Sequence, residues 1–189
     1  MRKLLVSDIK WFAFIIVASA VIWGFIFVQI YKPADNEKIA LFVTAERCDK
    51  DFFEQKILSA TDAKQVTVVS CSYSDNNYYE TFQVQGLLSA DLIILKTEEL
   101  ADKAMTTSFL PLSGELLAKY DIPADRLVFF ESVAYAVIIY DTAESIDVFG
   151  NKLGFSDDDS YCIGINITSE NADQSGDDNA LKALSALLS

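Results

Sequence analysis

The sequence predicts an α/β fold, in which one N-terminal transmembrane helix precedes a single three-layer α/β lobe with a parallel or mixed sheet. The stretch from Trp11 to Tyr31 carries no charged residue. Its length, about 20 residues at about 1.5 Å each, matches a hydrocarbon core of roughly 30 Å. Beyond it, short apolar runs alternate with amphipathic segments, which is typical of strand-helix-strand units. The remaining part of the chain, about 150 residues, suffices for one domain.

The charges on the two sides of the apolar stretch predict its orientation. Arg2, Lys3 and Lys10 precede it with a single acid, whereas two lysines and two acids follow it. Positive residues favour the cytoplasmic side of a membrane. We therefore expect a single-pass protein of the cell membrane, divided into a cytoplasmic N-terminus (1–10), an anchor (11–31), a linker (32–38) and an extracytoplasmic domain (39–189).

A cleaved signal peptide is the main alternative to this anchor. Residues 18–20, Ala-Ser-Ala, resemble a small-residue cleavage site. However, only about seven apolar residues precede this site, and the strongly apolar run Val21–Ile30 follows it. Cleavage would leave that run on the mature protein, so the sequence favours an uncleaved anchor.

The first of three predicted strands is a continuous apolar run, which is typical of a strand buried on both faces. Amphipathic segments with helical spacing lie between and after them. Strands and helices that alternate at this spacing form right-handed parallel crossovers. The predicted strands are Ile39–Thr44, Val66–Ser72 and Asp91–Leu95, and the predicted helices are 49–60, 76–88 and 97–105.

The second half of the chain has a less regular pattern. Two closely spaced apolar runs predict a hairpin or two strands that enter the sheet side by side. They are followed by a long polar stretch, another strand and an amphipathic helix. The predicted elements are a helix at 114–120, strands at Leu127–Phe130 and Val133–Tyr140, the polar stretch 141–159, a strand at Tyr161–Ile167 and a helix at 178–188.

Composition argues against several classes of function. The net charge is -13 and the basic residues are scattered singly, so we expect no nucleic-acid partner. Histidine is absent, which removes the usual general base and the commonest zinc ligand. The sequence also contains no phosphate-binding loop, dinucleotide fingerprint or nucleophile elbow. We therefore predict no catalytic residue, no metal and no cofactor, and we do not expect an enzyme.

The three cysteines, Cys48, Cys71 and Cys162, are odd in number and form no CxxC pair. In an exported domain, one disulfide and one free thiol are compatible with this count. Three small buried thiols are also compatible with it. The sequence leaves both arrangements open.

The candidate binding residues follow the predicted parallel strands. Ligands of such sheets bind at the carboxyl ends of the strands. Aromatic faces beside polar groups are typical of sugar-binding clefts. The predicted ligand-binding residues are Glu46 and Arg47 after the first strand, Tyr73 and Tyr79 after the second, and Lys96 after the third.

The order of the segments resembles the first lobe of the extracellular solute-binding proteins of bacterial ABC importers. The likeness covers residues 38–188 and rests on the succession IALFVTA, VTVVSCS, SADLIILKTEELADKAMTTSFLPL, VAYAVIIYD and YCIGINITSENAD, followed by the ALKALSALL helix. A usual member of this family has two lobes and is often a lipoprotein, whereas this chain has one lobe and a helical anchor. The resemblance implies a periplasmic-binding-protein-like fold that binds a sugar or another small solute.

Three functions follow from these observations. The first is a membrane-anchored, extracytoplasmic, solute-binding-like domain that works beside a transporter permease or a sensor in the same membrane. The second keeps the fold without a ligand, as a structural or interaction domain that docks a membrane partner. The third is an enzyme without a recognisable motif.

Overall fold

The computed structural model describes residues 2–31, 33–155, 158–172 and 178–189, without the side chains of residues 2–10 and 28–31. Lys32 of the predicted linker and the side chains of the predicted cytoplasmic N-terminus therefore lie outside the described part. The chain forms two compact units, Met1–Ala34 and Asp35–Ser189.

The first unit contains helix α1, Arg2–Tyr31. Large apolar side chains are exposed on it, among them Trp11 at 65%, Phe12 at 71% and Trp23 at 66%. Among the residues that the structure describes, none of the helices has both the length and the apolar character that crossing a membrane requires. The transmembrane helix predicted for residues 11–31 is thus not found, and the side chains of its last four residues lie outside the described part.

The second unit confirms the predicted α/β class. Its strands are β1 Lys38–Val43, β2 Arg47–Cys48, β3 Gln65–Ser70, β4 Leu92–Lys96, β5 Leu127–Phe130, β6 Val133–Asp141, β7 Ile146–Asp147, β8 Leu153–Gly154 and β9 Tyr161–Ile165. Seven of them form a mixed sheet with the strand order β3-β1-β4-β9-β6-β5, in which β7 pairs with β6. Strands β3, β1 and β4 are parallel to one another, whereas β9 runs antiparallel to both β4 and β6.

Helices lie on both faces of this sheet because its central strands are apolar on both sides. Leu41 and Val43 of β1 belong to a cluster that includes residues of α2 and α6, whereas the intervening Phe42 packs with residues of α3 and the segment after it. Side chains that alternate in this way place two layers of helix around one sheet. The helices are α2 Lys50–Ala60, α3 Tyr78–Thr81, α4 Lys103–Thr106, α5 Gly114–Lys119 and α6 Asn179–Leu188.

Two predicted helices are less regular than their patterns indicate. The helix expected over 76–88 begins at Tyr78 and continues as a π-helix over Phe82–Leu87. The helix expected over 97–105 is a 3₁₀-helix, Thr97–Ala101, followed by α4. The break between them lies at Asp102, whose side chain caps α4 by accepting a hydrogen bond from the Ala104 N–H at 2.9 Å.

The pair of strands predicted in the second half is a hairpin, which confirms one of the two expected arrangements. Strands β5 and β6 are antiparallel. The turn between them contains Glu131 and Ser132, with φ of 46° and 72°. Positive φ at two successive turn residues matches the twist of a two-residue hairpin. The polar stretch 141–159 contains the short strands β7 and β8.

Candidate functional site

Tyr73 and Lys96 follow neighbouring strands in the sequence, and the structure brings them together. The Lys96 backbone N–H donates to the Tyr73 hydroxyl at 3.2 Å. The Lys96 Nζ atom lies 5.0 Å from the centre of the Tyr73 ring and pairs with the carboxylate of Asp159. A cation over an aromatic face is attracted by the ring quadrupole. The charge of Lys96 is therefore compensated inside the chain.

The Tyr73 ring belongs to a stack of aromatic side chains at the carboxyl edge of the sheet. The centroids of the Tyr73 and Tyr78 rings are 4.4 Å apart, and Tyr78 stacks on Phe82 at 5.7 Å. The Tyr78 hydroxyl lies 3.4 Å from Oγ1 of Thr44, the residue after β1. Tyr79 contacts Tyr78 edge-on at 5.4 Å and is 78% exposed. Much of this edge is thus packed with the protein's own rings, and Tyr79 is its exposed member.

Arg47 lies in a separate two-stranded sheet, and Glu46 directly precedes it. The Glu46 N–H donates to the Gly154 carbonyl at 3.0 Å, and Arg47 pairs with Gly154 in the antiparallel ladder between β2 and β8. Both side chains are exposed. Of the five predicted ligand-binding residues, the structure joins Tyr73 to Lys96 by direct contact. Ligand binding by the five stays a prediction.

The tyrosine hydroxyls of the stack are held in their neutral form. Burial raises the pKa of Tyr73, and a hydrogen bond with Tyr78 acts in the same direction. Burial also raises the pKa of Tyr78 to about 12. Neither phenol is therefore a proton acceptor of general-base strength near neutral pH, and both act as hydrogen-bonding groups.

Glu99 is a half-buried carboxylate beside this stack. It hydrogen-bonds the Tyr73 hydroxyl, yet burial outweighs this bond and raises the pKa of the carboxyl group. Its Oε2 atom is buried and has no hydrogen-bond partner within the described ranges. A carboxylate that loses more water contacts than it gains hydrogen-bond donors is less stable ionised than in the unfolded chain.

We expect Glu99→Gln to stabilise the protein at neutral pH and to leave it unchanged in acid. A carboxyl group whose pKa is raised by folding lowers the stability of the protein when the pH is above its pKa in the folded chain. This cost disappears when the pH is below its pKa in the unfolded chain. The gain at pH 7 should be about 0.5 kcal/mol, because solvent screens a half-buried charge. Urea unfolding of both proteins at pH 7 and at about pH 3.5, which is below the usual pKa of a glutamate carboxyl group, measures this gain in stability. The exposed neighbour supplies the control, Glu98→Gln, and an equal gain at both pH values would contradict the prediction.

A cleft of about 550 Å³ lies at the opposite, amino end of the parallel strands. Its floor includes Ala40 of β1 and Val69 of β3, and the loop before β4 contributes Asp91. One wall comes from the π-helix and the residues after it, and another from the turn after β9. These walls contain Gln85, Leu88, Ser89, Thr168, Ser169, Glu170 and Asn171. The volume lies within the usual range of small-molecule sites, about 300–1,000 Å³.

A buried polar network forms the inner wall of the cleft. Asp91 is 8% exposed and Asn171 is 2% exposed. Asp91 Oδ2 accepts a hydrogen bond from the Ala40 N–H at 2.7 Å. Its Oδ1 accepts one from Ser169 Oγ at 2.5 Å and one from Asn171 Nδ2 at 3.0 Å. The network thereby joins β1, the start of β4 and the turn after β9.

Asn171 leaves one acceptor of this network unused. Its Nδ2 group donates to the Lys38 carbonyl at 2.7 Å and to Asp91, which fixes the orientation of the amide. Its buried Oδ1 atom accepts no hydrogen bond from any described residue. An unmet buried acceptor costs about 1–3 kcal/mol, so a site with this feature favours an incoming hydrogen-bond donor.

The sequence does not predict this cleft. Asp91 is the first residue of a predicted strand, and Ser169 and Asn171 lie in a polar segment about eighty residues later. No short motif connects them, and the rule for parallel sheets directs attention to the other edge. The one signal is a charged residue at the start of a run that is otherwise buried.

The three cysteines are free thiols, so the structure has the arrangement without a disulfide. Burial raises the pKa of Cys48 to about 11 and that of Cys162 to about 12. Burial and the neighbouring Asp75 also raise the pKa of Cys71. Because the thiolate is the reactive form, these groups are poor nucleophiles at neutral pH.

The sequence and the structure are compared with those of known proteins. No family model matches the sequence, and no curated protein matches it either. The structure is similar to an ABC substrate-binding protein from Listeria monocytogenes in complex with cycloalternan, with 15% sequence identity and a TM-score of 0.43. The match covers 54% of this chain and 28% of that chain. That protein is of the class that the sequence resembles, and the likeness extends to about half of this chain.

Proposed function

We propose that the protein is a solute-binding-like domain whose solute binds in the cleft beside Asp91. The observation that carries the proposal is a cleft of about 550 Å³ with two polar side chains, Asp91 and Asn171, buried in its wall. Buried polar groups that converge on a cavity orient a ligand, while apolar atoms around them contribute contact area. The predicted carboxyl-edge site offers less room, because Tyr73 and Lys96 already contact each other and Lys96 pairs with Asp159.

Binding of a solute panel to the full chain in detergent micelles tests this function. We expect Gln85→Trp, which places a large ring at the cleft, to weaken binding of a solute found in the panel by about tenfold or more, roughly 1.4 kcal/mol. Gln83→Trp is the matched control, because Gln83 is an exposed glutamine of the same π-helix that does not line the cleft. Both variants are compared by thermal unfolding before calorimetric titration.

The same titrations distinguish the two ends of the sheet. A solute whose binding is lost in Arg47→Ala or Tyr73→Ala but kept in Gln85→Trp binds at the carboxyl edge, as the sequence predicts. A panel of sugars, amino acids, amines and carboxylates without any binding compound contradicts the solute-binding function altogether.

We further propose that α1 attaches this domain to the cell membrane, with the N-terminus in the cytoplasm, the domain outside, and a bacterial transporter or sensor as partner. Support comes from the charge asymmetry around the apolar stretch and from the exposed apolar side chains of α1. Phe14 and Phe25, for example, are 64% and 67% exposed. Alkaline phosphatase fused after Ser189 should be active in a bacterial host. Activity of a fused cytoplasmic reporter instead, or release of the chain by carbonate, contradicts the proposal.

A docking domain without a ligand is the second candidate function. It is favoured by the carboxyl edge, where the Tyr73, Tyr78 and Phe82 rings pack on one another and leave Tyr79 78% exposed. Exposed tyrosines are enriched at protein interfaces. Replacing Tyr79 with a photo-crosslinking residue should capture a membrane partner if this function is correct, and no crosslink in native membranes counts against it.

A further inference from the structure

The charges around the cleft are predominantly negative. Its lining includes the carboxylates of Asp35, Asp91 and Glu170 and one ammonium group, that of Lys38. Three negative charges and one positive charge give a net charge of -2. Lys38 Nζ forms a salt bridge with Asp35 at 2.7 Å, so the positive charge of Lys38 is compensated by that carboxylate. The whole chain, at -13, adds to the same field. Anionic solutes are therefore repelled from this cleft and cations are attracted to it.

The hydrogen-bonding groups of the inner wall impose the same preference. Both amide hydrogens of Asn171 are already donated, to Lys38 and Asp91. Its Oδ1 atom has no donor in the described part of the chain. Asp91 accepts three hydrogen bonds, whereas a carboxylate has sites for about four. The wall thus has acceptor capacity to spare, which matches a ligand that donates several hydrogen bonds.

The cleft also has an apolar side that fits a short hydrocarbon chain. Val69 lies on its floor, and Leu88 lies on its helical wall with 77% of its surface exposed. An exposed leucine gains from contact with methylene groups of a ligand, because the contact removes apolar surface from water. The cleft therefore joins acidic, acceptor-rich groups to an aliphatic surface.

We propose that the solute of this cleft is a small aliphatic amine, bound as its ammonium ion. This inference rests on the proposed solute-binding function. The ammonium group donates its three hydrogens to the acceptors at Asp91, Asn171 and Glu170, while its methylene groups lie on Leu88 and Val69. Asn171 Oδ1 has almost no accessible surface, so its contact with the ligand requires a small outward movement of the turn from Thr168 to Asn171. Thr168 and Glu170 of this turn are exposed.

Three probes with the same four-carbon chain test the inference on the full protein in detergent micelles. They are 1,4-diaminobutane, butane-1,4-diol and succinate, which are cationic, neutral and anionic. We expect the diamine to bind at least about tenfold more tightly than the diol, and succinate not to bind. Raising the salt concentration from about 0.02 to about 0.5 M should weaken diamine binding, because salt screens the attraction.

A rim carboxylate supplies the decisive variant. Glu170→Gln removes one exposed negative charge of the cleft and should weaken diamine binding about three- to fivefold, with no change for the diol. Glu115→Gln is the matched control, since Glu115 is an exposed glutamate of α5 that does not line the cleft. Both variants alter surface charge alone, so both should fold.

The outcomes separate this inference from the function beneath it. Equal or tighter binding of the diol or of succinate, or an unchanged diamine affinity in Glu170→Gln, overturns the amine proposal and leaves solute binding intact. If none of the three probes binds while a sugar does, the amine proposal fails in the same way. If neither the probes nor any compound of the solute panel binds, both proposals fail together.

Discussion

Asn166→Ala should lower the free energy of unfolding by about 3–4 kcal/mol. Asn166 is 1% exposed and follows β9. Its Nδ2 group donates to the carbonyls of Leu87 at 2.8 Å and Ala90 at 3.0 Å. Its Oδ1 atom accepts hydrogen bonds from the N–H and the hydroxyl of Thr168, at 3.1 and 2.9 Å. Alanine leaves the buried Ala90 carbonyl, the half-buried Leu87 carbonyl and the Thr168 N–H without this partner, and a buried group of this kind costs about 1–3 kcal/mol.

Urea unfolding followed by circular dichroism measures this loss. Asn77→Ala is the matched control, because Asn77 is exposed and its side chain makes no capping hydrogen bond to α3. The control should change stability by less than about 0.5 kcal/mol. Thr168→Val, which removes the hydroxyl contact of Asn166, should cost about 1 kcal/mol. A loss of stability below about 1 kcal/mol in Asn166→Ala would show that the hydrogen bonds of Asn166 do not hold the segments around Leu87 and Thr168 together.

The same residue connects the stability of the fold to the cleft. Leu87 and Ala90 flank the part of the helical wall that carries Leu88 and Ser89, and Thr168 begins the turn that carries Asn171. Asn166 therefore ties two walls of the cleft together across the sheet. Its sequence context, Asn166-Ile167-Thr168, matches a glycosylation sequon, yet its amide is committed to buried carbonyls, which leaves the sequon without an accessible acceptor in the folded chain.

The parts of the fold that the sequence predicts are those in which the composition of a single strand indicates how it is buried. Runs such as Ile39–Val43 and Leu92–Leu95 are apolar at every position, and a strand with helices on both faces requires that composition. The proximity of Tyr73 and Lys96 also follows, because the carboxyl ends of parallel strands meet at one edge. The π-helix at Phe82–Leu87 does not follow from the spacing of apolar residues, which does not show that a Cβ atom on Gly86 would lie 3.0 Å from Cδ2 of Phe82.

The cleft could not be predicted because its chemistry depends on residues far apart in the sequence. Asp91 and Asn171 are close together because β9 pairs antiparallel with β4, which places the turn after β9 beside the start of β4. Each residue alone has an ordinary interpretation, a strand start and a loop amide. Motifs with a fixed residue spacing identify sites that a single turn or a single crossover assembles. The cleft beside Asp91, in contrast, depends on the strand order of the whole sheet.

Gly164→Ala should destabilise the protein by about 2–3 kcal/mol, because the ring of Phe109, a residue after α4, packs directly against the backbone of Gly164. A Cβ atom on Gly164 would lie 2.6 Å from Cδ1 of Phe109 and 3.1 Å from the Tyr135 carbonyl oxygen. Phe109 is fully buried, so neither neighbour can move without disturbing packed atoms. Overpacking of this kind costs about 1–3 kcal/mol.

Gly114→Ala is the matched control for this glycine. Gly114 begins α5, and a Cβ atom there would meet nothing within 4 Å. Alanine should therefore stabilise the protein, by about 0.4–1 kcal/mol, through the reduced entropy of the unfolded chain. Opposite signs in urea unfolding would show that the requirement at Gly164 is steric. Similar small effects of both changes would mean that Phe109 can leave its position, and that β9 does not need the Phe109 ring to hold Asn166 beside the cleft.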